Sequence, residues 1–214
     1  AVTAAKNAFP LWSQTSLDLK FQILNRISDL INENLEALAL AESIDNGKPL
    51  WLARRVDIPR AASNFQFFAT ALKHYASESY LNPPNVISTT LRQPIGIVGC
   101  ISPWNLPLYL FTWKIAPAIA AGNCVIAKPS EVTPMTAFLL AQICKDAGLP
   151  DGVLNILHGT GPKVGSAIVE HPMIKAISFT GGTATGQQII RTAGPMFKKL
   201  SLELGGKNAS IIMD

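Results

Sequence analysis

The sequence has 214 residues, of which 48% are hydrophobic and 15% are charged, with a net charge of +4 at pH 7. This length and apolar content can bury a sizeable core, and the scattered charge excludes the basic stripe of a nucleic-acid-binding protein. The three cysteines form no CxxC pair, and the longest apolar stretch is interrupted by Pro107, Lys114 and Pro117. We therefore expect a cytoplasmic protein that does not span a membrane.

The first 76 residues have the pattern of amphipathic helices. Apolar side chains recur at three- and four-residue steps over residues 17–31, and Asn46-Gly47 marks the end of this pattern. Pro59 then falls inside a second helical run. We expect either a kink there or a new helix with Asp57 as its cap and Pro59 in its first turn.

Residues 77–93 are rich in turn formers and β-branched residues, which predicts a hairpin. From residue 94 onward, helical stretches separate five short apolar strand candidates, namely GIVGCIS, NCVIAKP, GVLNILHG, KAISFTGG and LSLELGG. This alternation predicts an α/β fold with a doubly wound parallel sheet, preceded by helices and a hairpin excursion. Ligands bind such sheets at the carboxyl ends of the strands.

Polar residues follow the first two strand candidates. In SPWNLP, prolines fix the backbone around Trp104-Asn105, and a rigid Asn105 amide suits a developing oxyanion. The alternative is a loop in which Asn105 caps backbone groups. After the second strand, Lys128 and Glu131 can donate to and accept from ribose hydroxyls, and Glu131 would repel a 2′-phosphate, which favours NAD over NADP. A surface ion pair is the alternative.

The remaining strand ends carry glycines and one carboxylate. In FTGGTATG, Gly181 and Gly182 lead into a helix whose free N–H groups can bind phosphate, although a purely structural turn has the same pattern. LSLELGG places Glu203 at a strand end, where it can act as a general base if an apolar pocket surrounds it.

The cysteines and histidines give weaker signals. Cys100 lies near SPWN, but it fits a core thiol better than a nucleophile, as do Cys124 and Cys144. The three histidines lack metal-ligand spacing. We expect no metal site.

In this order, the strings SPWNLP, AGNCVIAKPSEVTP, GLPDGVLNILHGTGPKVG, ISFTGGTATG and LELGGK resemble the NAD(P)-dependent aldehyde dehydrogenase superfamily. The resemblance extends over essentially the whole chain, including NGKP at residues 46–49. It implies three parts: an N-terminal helical part of the cofactor domain over residues 1–76, an oligomerisation hairpin over residues 77–93, and a Rossmann-like NAD-binding domain over residues 94–214. It also implies a homodimer or homotetramer for the full-length enzyme.

The resemblance also implies roles for individual residues. Asn105 would help to hold the oxyanion of a cysteine thiohemiacetal, and Glu203 would activate the water that hydrolyses the thioester. The cofactor NAD would contact a set of residues along the strand ends: Ser102, Pro103, Trp104, Lys128, Ser130, Glu131, Gly161, Gly165, Gly181, Gly182, Thr183 and Gly186.

Two features depart from the family pattern. Gly182 stands where the family usually has a serine whose hydroxyl reaches a phosphate oxygen, so backbone N–H groups would have to replace that contact. The family's nucleophilic cysteine lies in a Gly-Gln-x-Cys motif beyond the position of Asp214. We therefore expect the C-terminal catalytic domain to be absent from these 214 residues, which alone would not oxidise aldehydes.

The strings DIPRAASNFQFFA and SPWNLPLYL resemble the branch of the family that acts on muconic semialdehydes, such as 2-aminomuconate or 2-hydroxymuconate semialdehyde. In that branch the arginine at the position of Arg60 can face the substrate carboxylate, which suits its two-pronged geometry. A helix-surface arginine is the alternative. Glu203 favours an acid-forming reaction, and a non-catalytic NAD-binding or structural protein remains the alternative to an enzyme.

Overall fold

The computed structural model describes residues 1–213, which fold around a five-stranded parallel sheet. In chain order the strands are β1 (Ser79–Asn82), β2 (Val86–Thr89), β3 (Ile97–Ile101), β4 (Cys124–Lys128), β5 (Leu154–Ile156), β6 (Ile174–Thr180) and β7 (Lys199–Glu203). The sheet order is β5-β4-β3-β6-β7 with every neighbouring pair parallel. The predicted doubly wound sheet is confirmed, and its strand order reverses between β3 and β6.

Helices precede the sheet and connect its strands. In chain order they are α1 (Val2–Gln14), α2 (Leu17–Glu33), α3 (Leu35–Asn46), α4 (Leu50–Leu52), α5 (Ile58–Lys73), α6 (Pro107–Ala120), α7 (Met135–Asp146), α8 (Ser166–Glu170) and α9 (Thr183–Ala193). Two π-helical turns, Ala53–Asp57 and Gly161–Gly165, and a 3₁₀ turn, Gly194–Met196, complete the set. Within residues 1–213, none of the helices combines the length and the apolar character that a membrane crossing requires.

The first helices form for the reason that the sequence predicts. The apolar stripe of α2 is buried at Leu24, Ile27 and Ile31, and α2 packs against α5. The helix begins at Ser16, whose hydroxyl accepts a hydrogen bond from the backbone N–H of Leu19 at 3.3 Å. The predicted end at Asn46-Gly47 is confirmed, because Gly47 follows α3 in the left-handed conformation with φ +78°.

The region around Pro59 differs in one respect from the expectation. Pro59 does lie in the first turn of α5, but α4, the π-helical turn and α5 run on without a break. Asp57 is helical and makes no side-chain cap, so the predicted cap is wrong. The start of α5 needs no such cap, because the preceding π-helical turn continues into it and the N–H of Ile58 donates to the carbonyl of Ala53. The Asp57 carboxylate instead binds Lys48 Nζ at 2.5 Å.

The sheet and the N-terminal helices share one hydrophobic core. Every residue of β3 and β4 is buried, and the same apolar cluster includes Trp12 of α1 and Phe65 of α5. At Gly99 in β3, a Cβ would lie 2.5 Å from Cγ2 of Ile168 in α8, so only glycine allows this close packing.

The predicted hairpin is confirmed for the strands themselves. β1 and β2 pair in the antiparallel sense, with Leu81 opposite Ile87, and all eight of their residues are exposed. The hairpin therefore adds nothing to the hydrophobic core of residues 1–213.

Candidate functional site

A cavity of about 660 Å³ opens at the carboxyl ends of the strands, where the sheet order reverses. Its walls include ten of the residues that the sequence assigns to a cofactor: Ser102, Pro103, Trp104, Lys128, Ser130, Glu131, Gly161, Gly165, Gly181 and Gly182. Ser102 follows β3, Ser130 follows β4 and Gly181 follows β6. Parallel strands thus bring residues from distant parts of the sequence to one rim, as such sheets do.

Lys128 and Glu131 form an ion pair at this rim. Lys128 is the last residue of β4 and is buried, and its Nζ donates to Glu131 Oε2 at 2.7 Å and to the carbonyl of Pro129 at 2.9 Å. Glu131 Oε1 accepts the N–H of Gly161 at 3.1 Å. The hydrogen bond from Lys128, assisted by backbone N–H groups, lowers the pKa of Glu131 to about 2. An ionised carboxylate therefore faces the cavity.

The Ser102 hydroxyl is the unusual atom of the site. It is buried, and it has no hydrogen-bond partner among the described residues. A buried hydroxyl without a partner costs about 1–3 kcal/mol, so a ligand that supplies one would be favoured there. Together with the ionised Glu131 and the donor Lys128, this unpaired hydroxyl fits the polar groups of NAD or NADP.

The glycine turn before α9 leaves space for a phosphate. The N–H of Gly181 bonds to the carbonyl of Glu203 at 3.0 Å, and Gly182 immediately precedes the helix. A Cβ at Gly182 would meet no atom within 4 Å, so the family's usual serine would also fit. The start of α9 can therefore offer backbone N–H groups to an anion even without that hydroxyl.

Two assigned cofactor residues lie outside the cavity wall. Thr183 is the first residue of α9, and a Cβ at Gly205 would lie 3.3 Å from its Oγ1. A Cβ at Gly186 would lie 2.5 Å from Cδ2 of Leu204, so this glycine allows α9 to pack against the segment after β7. Their contacts with a cofactor stay predictions.

Asn105 lies in the bend between β3 and α6, and its side chain is exposed. The residue before α6 is Leu106, whose side chain makes no capping hydrogen bond, and the Asn105 amide makes none to α6 either, so Asn105 does not have the capping role that was its alternative. Within residues 1–213 its amide makes no hydrogen bond, whereas its backbone carbonyl accepts one from Lys48 Nζ at 3.4 Å. Asn105 does not line the cavity itself.

Glu203 ends β7 directly beside Thr180 of β6. Its side chain is exposed, so residues 1–213 do not form the apolar pocket that the sequence suggested around it. Asn105, Glu203 and the cavity nevertheless belong to the same end of the sheet, because β3, β4, β6 and β7 are parallel.

Lys114 contacts the cavity wall through Thr180, and the sequence alone did not indicate this contact. Its buried ammonium donates to Thr180 Oγ1 at 2.6 Å. Burial lowers the pKa of Lys114, while its electrostatic interactions with Cys100 and with the Glu203 carboxylate act in the opposite direction. A single lysine inside the apolar run LPLYLFTWKIAPAIAA was the available signal, since a buried cation needs a partner.

Arg60 lies on the exposed face of α5 and packs against α6. Its guanidinium carbon stands 3.9 Å from the ring centroid of Tyr109, and Nη2 donates to the Tyr109 hydroxyl at 2.7 Å. Trp113 lies next to Tyr109, with 6.0 Å between the ring centroids. Arg60 is therefore held in place by an aromatic neighbour rather than free on the helix surface.

The cysteines of the chain are structural in this fold. All three are free and buried, and burial raises the pKa of Cys100 to about 12, of Cys124 to about 11 and of Cys144 to about 12. None is a thiolate near neutral pH, so none can serve as a nucleophile. Within the described part of the chain, no group of three or more His, Cys, Asp or Glu side chains is placed to hold a metal ion.

Comparisons with known proteins find the same family over the whole chain. The model described as the aldehyde dehydrogenase family matches residues 1–214. A 2-aminomuconic semialdehyde dehydrogenase of Bos taurus is 54% identical, covering 100% of this chain and 44% of the relative. A 2-hydroxymuconic semialdehyde dehydrogenase of Pseudomonas sp. (strain CF600) is 46% identical, covering 99% of this chain and 45% of the relative.

A solved structure gives the same result for the fold. The mutant aldehyde dehydrogenase C of Pseudomonas syringae, in complex with NAD⁺ and octanal, superposes with a TM-score of 0.91 at 43% identity. The match covers 96% of this chain and 42% of the other. The chain thus spans less than half the length of the relatives that it matches.

Proposed function

Because this chain belongs to the aldehyde dehydrogenase family, we propose that it is the cofactor-binding part of an enzyme that oxidises an aldehyde to an acid with NAD. A polypeptide of the relatives' length is called the full-length enzyme below. The observation that carries the proposal is the Lys128–Glu131 pair beside the unpartnered Ser102 hydroxyl, at the rim where the sheet order reverses.

In this proposal the chain binds NAD rather than NADP. When bound, NAD supplies the hydride acceptor for the reaction. Lys128 and Glu131 hold the adenosine ribose, and the ionised Glu131 repels a 2′-phosphate. The turns at residues 161–165 and 181–186, with Thr183, border the adenine and the pyrophosphate. Ser102, Pro103, Trp104 and Ser130 line the remaining path.

The same proposal gives catalytic roles to two exposed groups. The Asn105 amide donates to the oxyanion that forms when a cysteine attacks the aldehyde. Glu203 removes a proton from the water that hydrolyses the thioester, which makes the product an acid.

The substrate that we propose is a semialdehyde that carries a carboxylate, such as 2-aminomuconate semialdehyde. Two of the relatives are named for muconic semialdehydes, and Arg60 offers an exposed guanidinium that Tyr109 holds in one orientation. A pre-oriented guanidinium binds a carboxylate with less loss of side-chain entropy than a mobile one. The segment 94–214 would then bind the cofactor while α5 contributes to substrate selection.

Two further properties belong to the proposal. The exposed hairpin of β1 and β2, within residues 77–93, would join subunits of a homodimer or homotetramer. A reducing compartment such as the cytoplasm would be its location, because the three cysteines are free.

The substrate proposal is tested by steady-state kinetics of the full-length enzyme. Arg60→Ala should raise KM for 2-aminomuconate semialdehyde by about 10-fold or more, since a charge-assisted bidentate contact is lost, and should leave KM for acetaldehyde nearly unchanged. Tyr109→Phe keeps the ring and should have a smaller effect in the same direction.

Arg55→Ala removes another exposed arginine nearby and serves as the matched control. Equal losses on both aldehydes after Arg60→Ala would contradict the role of Arg60. A full-length protein that binds NAD but oxidises neither aldehyde would instead support the non-catalytic alternative.

A further inference from the structure

Side chains at the end of α3 and just after it donate hydrogen bonds to the backbone of the loop that carries Asn105. Asn46 Nδ2 donates to the carbonyl of Trp104 at 2.8 Å, and Lys48 Nζ donates to the carbonyl of Asn105 at 3.4 Å. Both carbonyls belong to the bend that presents the Asn105 amide. The sequence string NGKP therefore contacts the string SPWN across more than 50 residues of intervening chain.

The start of α6 is fixed by the same group of side chains. Glu42 Oε2 accepts the backbone N–H of Leu108 at 3.2 Å, and Glu42 Oε1 accepts from Lys48 Nζ at 3.3 Å. Because α6 lacks a side-chain cap from its own loop, Glu42 of α3 satisfies one of its free N–H groups. The backbone on both sides of the Asn105 side chain is thus tied to α3 and Lys48.

These anchoring groups are buried and charged. The side chain of Lys48 is 7% exposed, that of Glu42 is 0% exposed and that of Asp57 is 2% exposed. Lys48 Nζ also donates to Asp57 Oδ2 at 2.5 Å, so one ammonium serves two carboxylates and one carbonyl. Burial raises the pKa of Glu42, and the ammonium of Lys48 opposes that shift.

A buried group of this kind is weak evidence for a role in stability. Apolar side chains of similar volume often replace a buried ion pair at no cost, or with a gain in stability. The local backbone is also built around this cluster. Gly47 turns the chain with φ +78°, and the π-helical turn Ala53–Asp57 places the Asp57 carboxylate against Lys48. Turns of the π type often occur next to functional sites.

We propose that Lys48, held by Glu42 and Asp57, is a positioning residue that sets the orientation of the Asn105 amide toward the oxyanion. Asn46 assists it through the carbonyl of Trp104. This inference rests on the role of Asn105 given under the proposed function. A displacement of about 1 Å in a catalytic group can cost about 100-fold in rate, so the anchor matters even though it never touches substrate.

The test is a double-mutant cycle in the full-length enzyme. Lys48→Met keeps the length of the side chain and removes its charge and donors. It should lower kcat by about 10- to 100-fold and leave KM for NAD unchanged. In the background of Asn105→Ala the same substitution should cost less than about 3-fold, because Lys48 acts through an amide that is no longer there.

Two further variants keep the test decisive. If Lys48→Met does not fold, Asn46→Ala removes one exposed hydrogen bond only and should show the same pattern with a smaller loss of kcat. Arg54→Met removes a surface ion pair of similar length, Arg54 to Glu36 at 2.6 Å, and should leave kcat unchanged.

The possible results distinguish the positioning role of Lys48 from the oxyanion role of Asn105. A loss of kcat from Lys48→Met that is equally large with and without Asn105 would overturn the positioning role, as would an unchanged kcat. If Asn105→Ala itself leaves kcat unchanged, the oxyanion role of Asn105 fails, and the positioning proposal fails with it.

Discussion

Glu131 keeps its negative charge over the pH range in which most enzymes work. Its pKa of about 2 lies below the ordinary value of 4.5, mainly because Lys128 donates a hydrogen bond to the charged form. A depressed pKa means that the carboxylate stabilises the fold above pH 4.5, and that this contribution is lost as pH falls toward 2. Glu131 therefore stays ionised between about pH 5 and 8, and any pH dependence of the discrimination against a 2′-phosphate comes from the phosphate, whose second pKa is about 6.

Replacement of Glu131 by glutamine tests this role. In the full-length enzyme, Glu131→Gln should increase kcat/KM for NADP relative to that for NAD by about 10-fold, because the repulsion of the 2′-phosphate disappears. In the unmodified enzyme, the preference for NAD should weaken as pH falls from 8 to 5, because the 2′-phosphate loses one negative charge near pH 6 while Glu131 stays ionised.

The matched control is Glu33→Gln, which removes a carboxylate that pairs with Arg26 on the surface at 2.6 Å. This control should leave the cofactor ratio unaltered. An unchanged ratio in Glu131→Gln would show that the carboxylate does not select the cofactor.

At the scale of the elements, β3 and α8 approach each other as closely as Gly99 allows. An alanine methyl there would lie 2.5 Å from Ile168 Cγ2 and 2.8 Å from Ile177 Cδ1. The Ile168 methyl belongs to a β-branched side chain that cannot rotate away without cost. Gly99→Ala should therefore destabilise the full-length enzyme by about 1–3 kcal/mol, measured by denaturant unfolding.

Gly194→Ala is the control for this experiment. Gly194 has helical dihedral angles, and a Cβ there meets no atom within 4 Å, so its stability should change by less than about 0.5 kcal/mol. If Gly99→Ala is as stable as Gly194→Ala, β3 and α8 can move apart to accept a methyl group at a lower cost than their packing indicates.

The elements were the most predictable part of the fold. Five apolar runs separated by helical stretches were enough to predict the parallel sheet, because a strand buried on both faces has few polar residues. The cap at Asp57 was wrong since its partner, Lys48, becomes a neighbour only when the chain folds back after Gly47. Lys114 was overlooked for a similar reason: its partner Thr180 is 66 residues away in the sequence.

The residues of the site were predictable, but their surroundings were not. Strings at strand ends indicated four residues of the cavity wall, because the topology of a parallel sheet brings those ends together, and the family resemblance implied the other six. Local sequence could not show that the Ser102 hydroxyl is unpaired or that the Glu203 side chain is exposed. Both depend on what surrounds the residue after folding.

At the scale of the whole molecule, the hairpin is exposed along both of its strands within residues 1–213. Leu81 and Ile87 face each other across β1 and β2 and are 75% and 70% exposed. Unpaired strand edges and apolar side chains together favour association with another chain. Ile87→Glu should therefore reduce the mass of the full-length enzyme in solution, measured by light scattering, to that of a smaller assembly.

Ser88→Glu places the same charge on the other face of β2 and provides the comparison. It should leave the assembly intact, because Ser88 lies opposite Tyr80 rather than in the Leu81–Ile87 pair. An unchanged mass for Ile87→Glu would show that the hairpin is not part of the subunit contact.

The cavity takes its walls from both sides of the reversal in strand order: Lys128 and Glu131 from the β4 side, Gly181 and Gly182 from the β6 side. A molecule bound across that boundary would contact both halves of the sheet and link them. Since a ligand that binds only the native state stabilises it by mass action, resistance to heat would rise with the concentration of free cofactor. The stability of the folded enzyme would in this way depend on the supply of the coenzyme.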